Sequence, residues 1–121
     1  MKTILKRLTL WLVFVAVPAM ATVTDPHSFA NFNQVKVKHI DLDLDVDFDQ
    51  SRLSGSAEIQ FEKLDASARQ LVLDTRDLSV LAITSGDIHL AYRFGNTDPN
   101  LGTPLYIDLP AAGEGSTEVK R

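Results

Sequence analysis

His39-Ile-Asp-Leu-Asp-Leu-Asp-Val-Asp-Phe-Asp49 decides the fold. Ile40, Leu42, Leu44, Val46 and Phe48 hold every even position, and Asp41 to Asp49 every odd one. Successive side chains of a strand point to opposite faces, so this is a strand with one apolar and one acidic face. A strict period of two fits no helical stripe. Asp49-Gln-Ser-Arg-Leu-Ser-Gly55 then supplies turn formers, after which Leu53, Ala57, Ile59 and Phe61 point inward and Ser56, Glu58, Gln60 and Glu62 outward. Two alternating runs across a short Gly-bearing connection predict a β-hairpin from Val35 to Glu62. Val35 and Val37 are apolar at odd positions, so the phase flips near His39. The chain either bulges there or passes to another sheet. Leu44→Asp or Phe48→Asp puts an unpaired charge in a thin core and is expected to abolish folding, whereas Asp43→Asn or Asp45→Asn changes stability by less than about 0.5 kcal/mol.

Working outward, Thr22 to Gln34 is a polar, extended lead-in that packs Phe29 and Phe32, and Lys63 to Gln70 is a polar connection. Leu71-Val-Leu-Asp-Thr75 predicts a short strand, and Leu78 to Thr84 another that is apolar on both sides. Ser85-Gly-Asp87 turns the chain. Ile88, Leu90, Tyr92 and Phe94 alternate as a half-buried strand, and Leu105, Ile107 and Leu109 as one more after the Gly- and Pro-rich loop 95–104. Ala111 to Ser116 is expected to be a loop, and Thr117 to Arg121 the start of a strand without a body, leaving a sheet edge unpaired. No segment after Ala21 carries helical periodicity. The predicted fold is an all-β antiparallel sandwich or saddle-shaped sheet with its C-terminal strand cut short.

The chain of 121 residues opens with Lys2, Lys6 and Arg7, an apolar run from Leu8 to Val17 and a small-residue site at Ala19-Met-Ala21. This is the pattern of a secretory signal peptide, in a run too short for a membrane span. The expected organisation is therefore residues 1–21 signal peptide, 22–34 extended lead-in and 35–121 β domain, with export to the periplasm or outside and no stable membrane anchor after cleavage. Beyond the signal, 9 basic residues face 16 acidic ones, net −7. That balance disfavours nucleic acid as a partner. Cysteine is absent, so neither disulfides nor thiolate metal sites arise.

The acidic ladder invites a cation, and Asp47 to Glu58 has the length of an EF-hand frame, but its sixth position is Arg52 rather than Gly and strands flank it. It reads as a solvated face that deters edge pairing. His27, His39 and His89 lie in different segments without zinc spacing. Ser54-Gly55-Ser56 lacks the surroundings of a nucleophile elbow. Gly113-Glu-Gly115 lacks those of a phosphate cradle. Tyr92, Phe94 and Tyr106 form either a binding surface or core. No catalytic, cofactor-binding or metal-ligating residue is assigned.

Asp25-Pro-His-Ser-Phe29, Val37 to Phe48, Leu53-Ser-Gly-Ser-Ala57 and Leu71-Val-Leu-Asp-Thr-Arg-Asp-Leu78 together resemble the amino-terminal domain of M1 family zinc aminopeptidases. The similarity is nearest to the leukotriene hydrolase and aminopeptidase B branch and spans Asp25 to Arg121. Phe32 stands where that branch carries Pro. The resemblance implies a non-catalytic β domain that packs beside a zinc-binding catalytic domain and helps wall its cleft. The full enzymes remove amino-terminal residues from peptides with H-E-x-x-H and Gly-x-Met-Glu-Asn motifs. Two histidines at i and i+4 share a helix face and so chelate zinc. Here no His is followed by Glu, and Gly-x-Met-Glu-Asn is absent. The expectation is a fragment of an exported zinc aminopeptidase, inactive alone and without a cofactor of its own. Its partner is then the parent's catalytic domain, and peptide substrates belong to the parent. The alternatives are a free-standing β-sandwich adaptor and a calcium-dependent adhesion module.

Overall fold

A computed structural model describes residues 25–111 and 114–120, with residues 114–116 described by backbone alone. Residues 1–21, expected to be a signal peptide, and residues 22–24 of the lead-in lie outside the described residues. Eight strands follow in order: β1 Val35–Asp47, β2 Arg52–Lys63, β3 Gln70–Thr75, β4 Ala82–Ser85, β5 Ile88–His89, β6 Tyr92–Phe94, β7 Thr103–Asp108 and β8 Glu114–Lys120. They form a five-stranded sheet in the order β1-β2-β8-β4-β5 and a three-stranded sheet β3-β7-β6. Every pairing is antiparallel. No helix occurs among the described residues.

The hairpin has the predicted register, with Asp47 opposite Arg52 and Val46 opposite Leu53. Its turn is closed by the Asp47 carboxylate, which accepts the Gln50 N–H at 2.9 Å, and by Ser51 at φ 51°. The phase flip is a bulge: the register shifts between Val37 and His39, leaving Lys38 as the extra residue. Gly55, at φ 142°, lies opposite Leu44, and any Cβ there would collide with the Asp43 carbonyl oxygen. Glycine at this position is therefore dictated by the backbone rather than by packing.

The core lies between the sheets, where Ile59, Phe61, Ile83 and Val119 meet Leu71, Leu105 and Ile107. Full burial of each such side chain stabilises by about 1.5–3 kcal/mol. Thr117 is buried with them, and its hydroxyl donates to the Thr84 carbonyl at 3.0 Å. The nearly buried Lys63 donates its ammonium to the Pro110 carbonyl.

Four expectations need correction. Leu78 to Thr84 is not one strand: β4 starts at Ala82, while Leu78 and Val80 pack on the core from irregular chain. Ile88 to Phe94 is two strands in different sheets, because the Leu90 N–H bonds to Ile83 of one sheet and the Ala91 carbonyl accepts from Asp108 of the other. Residues 114–116, expected in a loop, and 117–120, expected as a stub, belong to one strand, while 112, 113 and 121 lie outside the described residues. Residues 114–120 form β8, seated between β2 and β4 with partners on both sides, and among the described residues the outer strands of that sheet are β1 and β5.

The fourth correction concerns the apolar face of β1. It is largely uncovered: Ile40 is 51% exposed, Leu42 63%, Leu44 46%, Val46 49% and Phe48 87%. β1 and β2 are 13 and 12 residues long, whereas the strands of the facing sheet have 6, 6 and 3. At about 3.3 Å per residue the short sheet roofs only part of the hairpin, over Ile59 and Phe61. The loss of folding expected for Leu44→Asp or Phe48→Asp therefore has no packed core behind it.

Candidate functional site

The uncovered hairpin face is the floor of an apolar trough. Phe32, Val37, Ile40, Leu42, Leu73 and Leu78 line a cavity of about 640 Å³ between the sheets. A smaller pocket of about 190 Å³, walled by Leu42, Leu44, Leu53 and Leu78, continues toward the hairpin tip. Apolar surface of this extent on one face of a small domain marks a place where something binds or packs.

The opposite face of the same strands is acidic. Asp41 pairs across to Glu58, and Glu58 to Glu118, so one row holds three carboxylates on three adjacent strands. Like charges directly opposite destabilise a sheet. At the ends of the row, His39 Nε2 lies 3.1 Å from Asp41 Oδ1 and Lys120 Nζ 3.5 Å from Glu118 Oε2. Lys38 bridges to Glu62 at 3.1 Å near the bulge. These exposed pairs contribute little each.

The trough's mouth is framed by the lead-in, which is tied to β3 by side chains. Asn31 Nδ2 donates to the Gln70 carbonyl at 2.8 Å, and Asn31 Oδ1 accepts the Val72 N–H at 3.0 Å. The Asp74 carboxylate accepts the Ser28 hydroxyl at 2.6 Å and the Phe29 N–H at 2.8 Å. The two Asn31 bonds satisfy backbone groups on one edge of the three-stranded sheet, and the two Asp74 bonds hold the lead-in against it. Sequence reasoning read Asn31 only as a polar linker residue and gave Asp74 no role. The partners lie 41 and 45 residues apart, so no local pattern could show them.

Structure separates the sequence candidates. His27 sits in the lead-in, while His39 and His89 occupy β1 and β5, the opposite edges of the larger sheet. Glu58 stands six residues along β2 from Arg52, the cross-strand neighbour of Asp47. That is roughly 20 Å, so the calcium-loop frame does not close. Ser54-Gly55-Ser56 is interior to β2, and Gly115 is paired with Phe61 inside β8. Gly113 lies outside the described residues. The three aromatics divide: Tyr92 and Phe94 meet edge to face at 6.3 Å, partly exposed, whereas Tyr106 pairs with Arg93, whose guanidinium stacks 3.9 Å from its ring centre. Among the described residues no group of three or more His, Cys, Asp or Glu is placed to hold a metal ion.

Two carboxylates are tuned, and both serve turns. Bonds from the Ser67 hydroxyl and N–H hold Asp65 below its ordinary value. Bonds from the Leu101 and Asn100 N–H groups do the same for Asp98. Neither faces the trough's lining.

No protein-family model matches the sequence. A leukotriene A-4 hydrolase of Xenopus laevis is 34% identical over 88 residues, which cover 73% of this chain and 14% of that protein. A leucine aminopeptidase 2 of Pyricularia oryzae is 33% identical over 98 residues, covering 80% and 16%. The bestatin complex of yeast leukotriene A-4 hydrolase superposes with a TM-score of 0.74 at 26% identity, over 86% of this chain and 17% of that one. The chain thus spans about a sixth of the length of the relatives it matches. By sequence and by fold, the chain belongs to the M1 family, as the amino-terminal β domain found in leukotriene A-4 hydrolase and leucine aminopeptidase 2.

Proposed function

We propose that this chain is the non-catalytic amino-terminal domain of an exported zinc aminopeptidase, whose full-length form removes amino-terminal residues from peptides. The observation that carries this is the match at 33–34% identity over most of the chain, confined to 14–16% of each relative. The chain's own residues do not fit zinc: His27, His39 and His89 lie on separate elements, and none is followed by Glu. The metal, the general base and the residues that hold the substrate amine belong to the remainder of the parent. The β domain's part is structural, walling the substrate cleft beside the catalytic domain. The signal pattern of residues 1–21 supports export to the periplasm or beyond.

The test has two arms. The reading frame beyond the codon for Arg121 is expected to encode H-E-x-x-H, and the purified chain alone to leave aminoacyl-nitroanilides intact. Hydrolysis by the purified chain, or its copurification with stoichiometric zinc, overturns the proposal.

A further inference from the structure

We propose that the tip half of the β1–β2 hairpin is a docking arm, marginal alone and ordered when the stretch of the parent directly after residue 121 packs on its apolar face. This inference rests on the reading of the chain as part of a longer M1 protein. β8 pairs with β2 only from Ser56 to Glu62, and the core that holds the hairpin reaches Ile59 and Phe61. Among the described residues, 45–54 is therefore a two-stranded ribbon, with Asp45 opposite Ser54, Val46 opposite Leu53 and Asp47 opposite Arg52. A hairpin with no third strand and no covering layer is marginally stable in water. Few buried contacts and solvent-facing ladder bonds are the conditions for local opening.

The ribbon nonetheless carries an apolar face. Val46 and Phe48 are exposed on it, Leu53 is 38% exposed, and Leu44 joins Leu53 to the trough. Large apolar side chains gathered on one face mark a surface that packs on something. The direction of β8 selects the occupant. β1 and β8 are both antiparallel to β2, so β8 runs toward the hairpin tip. Its last described residue, Lys120, pairs with Ser56 and Ala82 and shares a depression with Leu44, Gly55 and Leu81. Chain leaving that point enters the space beside Leu44 and Leu53 at once, whereas a remote segment has to be brought there. The segment that fits turns alternate apolar side chains onto Leu44, Val46 and Leu53 and keeps polar ones outward.

Amide exchange in the purified chain is expected to be at least about 100-fold faster at 45–47 and 52–54 than at Ile59–Phe61. In the full-length parent the two sets are expected to come within about tenfold of each other. This chain has no cysteine of its own, so Phe48→Cys in the parent can carry a benzophenone at the tip. Its cross-links are expected to fall in the stretch directly after residue 121. Exchange at 45–54 as slow as in the core of the isolated chain overturns the proposal. So does an arm that stays fast in the parent, and so do cross-links confined to the H-E-x-x-H region. A parent that protects the arm but leaves aminoacyl-nitroanilides intact refutes the aminopeptidase reading alone. An active parent with an unprotected arm refutes this proposal alone.

Discussion

Asn31 acts toward Val72 as a neighbouring strand would: its Oδ1 accepts the Val72 N–H at 3.0 Å while its Nδ2 donates to the Gln70 carbonyl at 2.8 Å. One carboxamide thus repeats the donor–acceptor pattern of an antiparallel ladder along the edge of β3. Val72 is buried, so its N–H has no ready substitute partner in water. Leaving such a donor unpaired costs about 1–3 kcal/mol. Asn31→Ala is therefore expected to lower the unfolding free energy by about that amount in urea titrations. Asn31→Asp keeps the acceptor for Val72 but turns a carboxylate on the Gln70 carbonyl, and is expected to fall between the two.

Gly55 and Gly86 provide a paired test of backbone demand. Both have positive φ, at 142° and 56°, but a Cβ at Gly86 meets open space, whereas at Gly55 it meets the Asp43 backbone. Gly86→Ala bears only the left-handed penalty of about 1–2 kcal/mol. Gly55→Ala must also push β1 off β2 in the middle of the hairpin, and a loss above about 4 kcal/mol is exceptional for one substitution. The expected outcome is a folded Gly86→Ala and a Gly55→Ala that is unfolded or deeply destabilised, read by the far-ultraviolet circular dichroism melt.

Phe48 lies in the hairpin turn, 87% exposed, and Leu105 lies between the sheets, fully buried. Phe48→Asp is expected to change stability by less than about 0.5 kcal/mol, as surface substitutions do. Leu105→Asp places an unpaired charge in the core and is expected to abolish folding. Leu44→Asp, at a half-exposed position, falls between them. Denaturant midpoints for the three variants check the order, and a Phe48→Asp chain that fails to fold contradicts the uncovered face.

What was legible in the sequence follows from what a period of two can encode. The alternation of Ile40 to Phe48 against Asp41 to Asp49, with its resumption after the turn, specifies a hairpin, because each is a local phase relation; the phase flip near His39 left a bulge and a sheet switch both open, and the register shows the bulge. The alternation does not say whether a second layer reaches that far, which is why Leu42 and Leu44 look like core and are not. The sheet switch at Leu90–Ala91 is silent for the same reason: Ile88, Leu90, Tyr92 and Phe94 keep one parity straight through it. β8 is silent for another, since Glu114 to Lys120 has Val119 as its one large apolar residue and takes its place from ladders on both flanks. In the site, the apolar trough could be half seen as an amphipathic strand. The Asn31 and Asp74 ties were hidden by sequence separation.

Asp98 gives the fold an acid-side sensitivity. Its carboxylate accepts the Asn100 N–H at 2.8 Å and the Leu101 N–H at 2.9 Å, closing the loop between β6 and β7, and these bonds hold its pKa below the usual 3.8. A group whose pKa is lower folded than unfolded stabilises the fold above its unfolded value, and that contribution is lost as pH falls through the folded value. Asp65, held down by Ser67, acts in the same direction. The contribution of these two carboxylates is therefore expected to be constant above about pH 5 and to be lost as pH falls below 3.8. Asp98→Asn retains a carbonyl acceptor for both N–H groups but cannot ionise. Its urea midpoint is expected to depend less steeply on pH in the acid range than that of the wild-type chain, and equal slopes contradict the assignment.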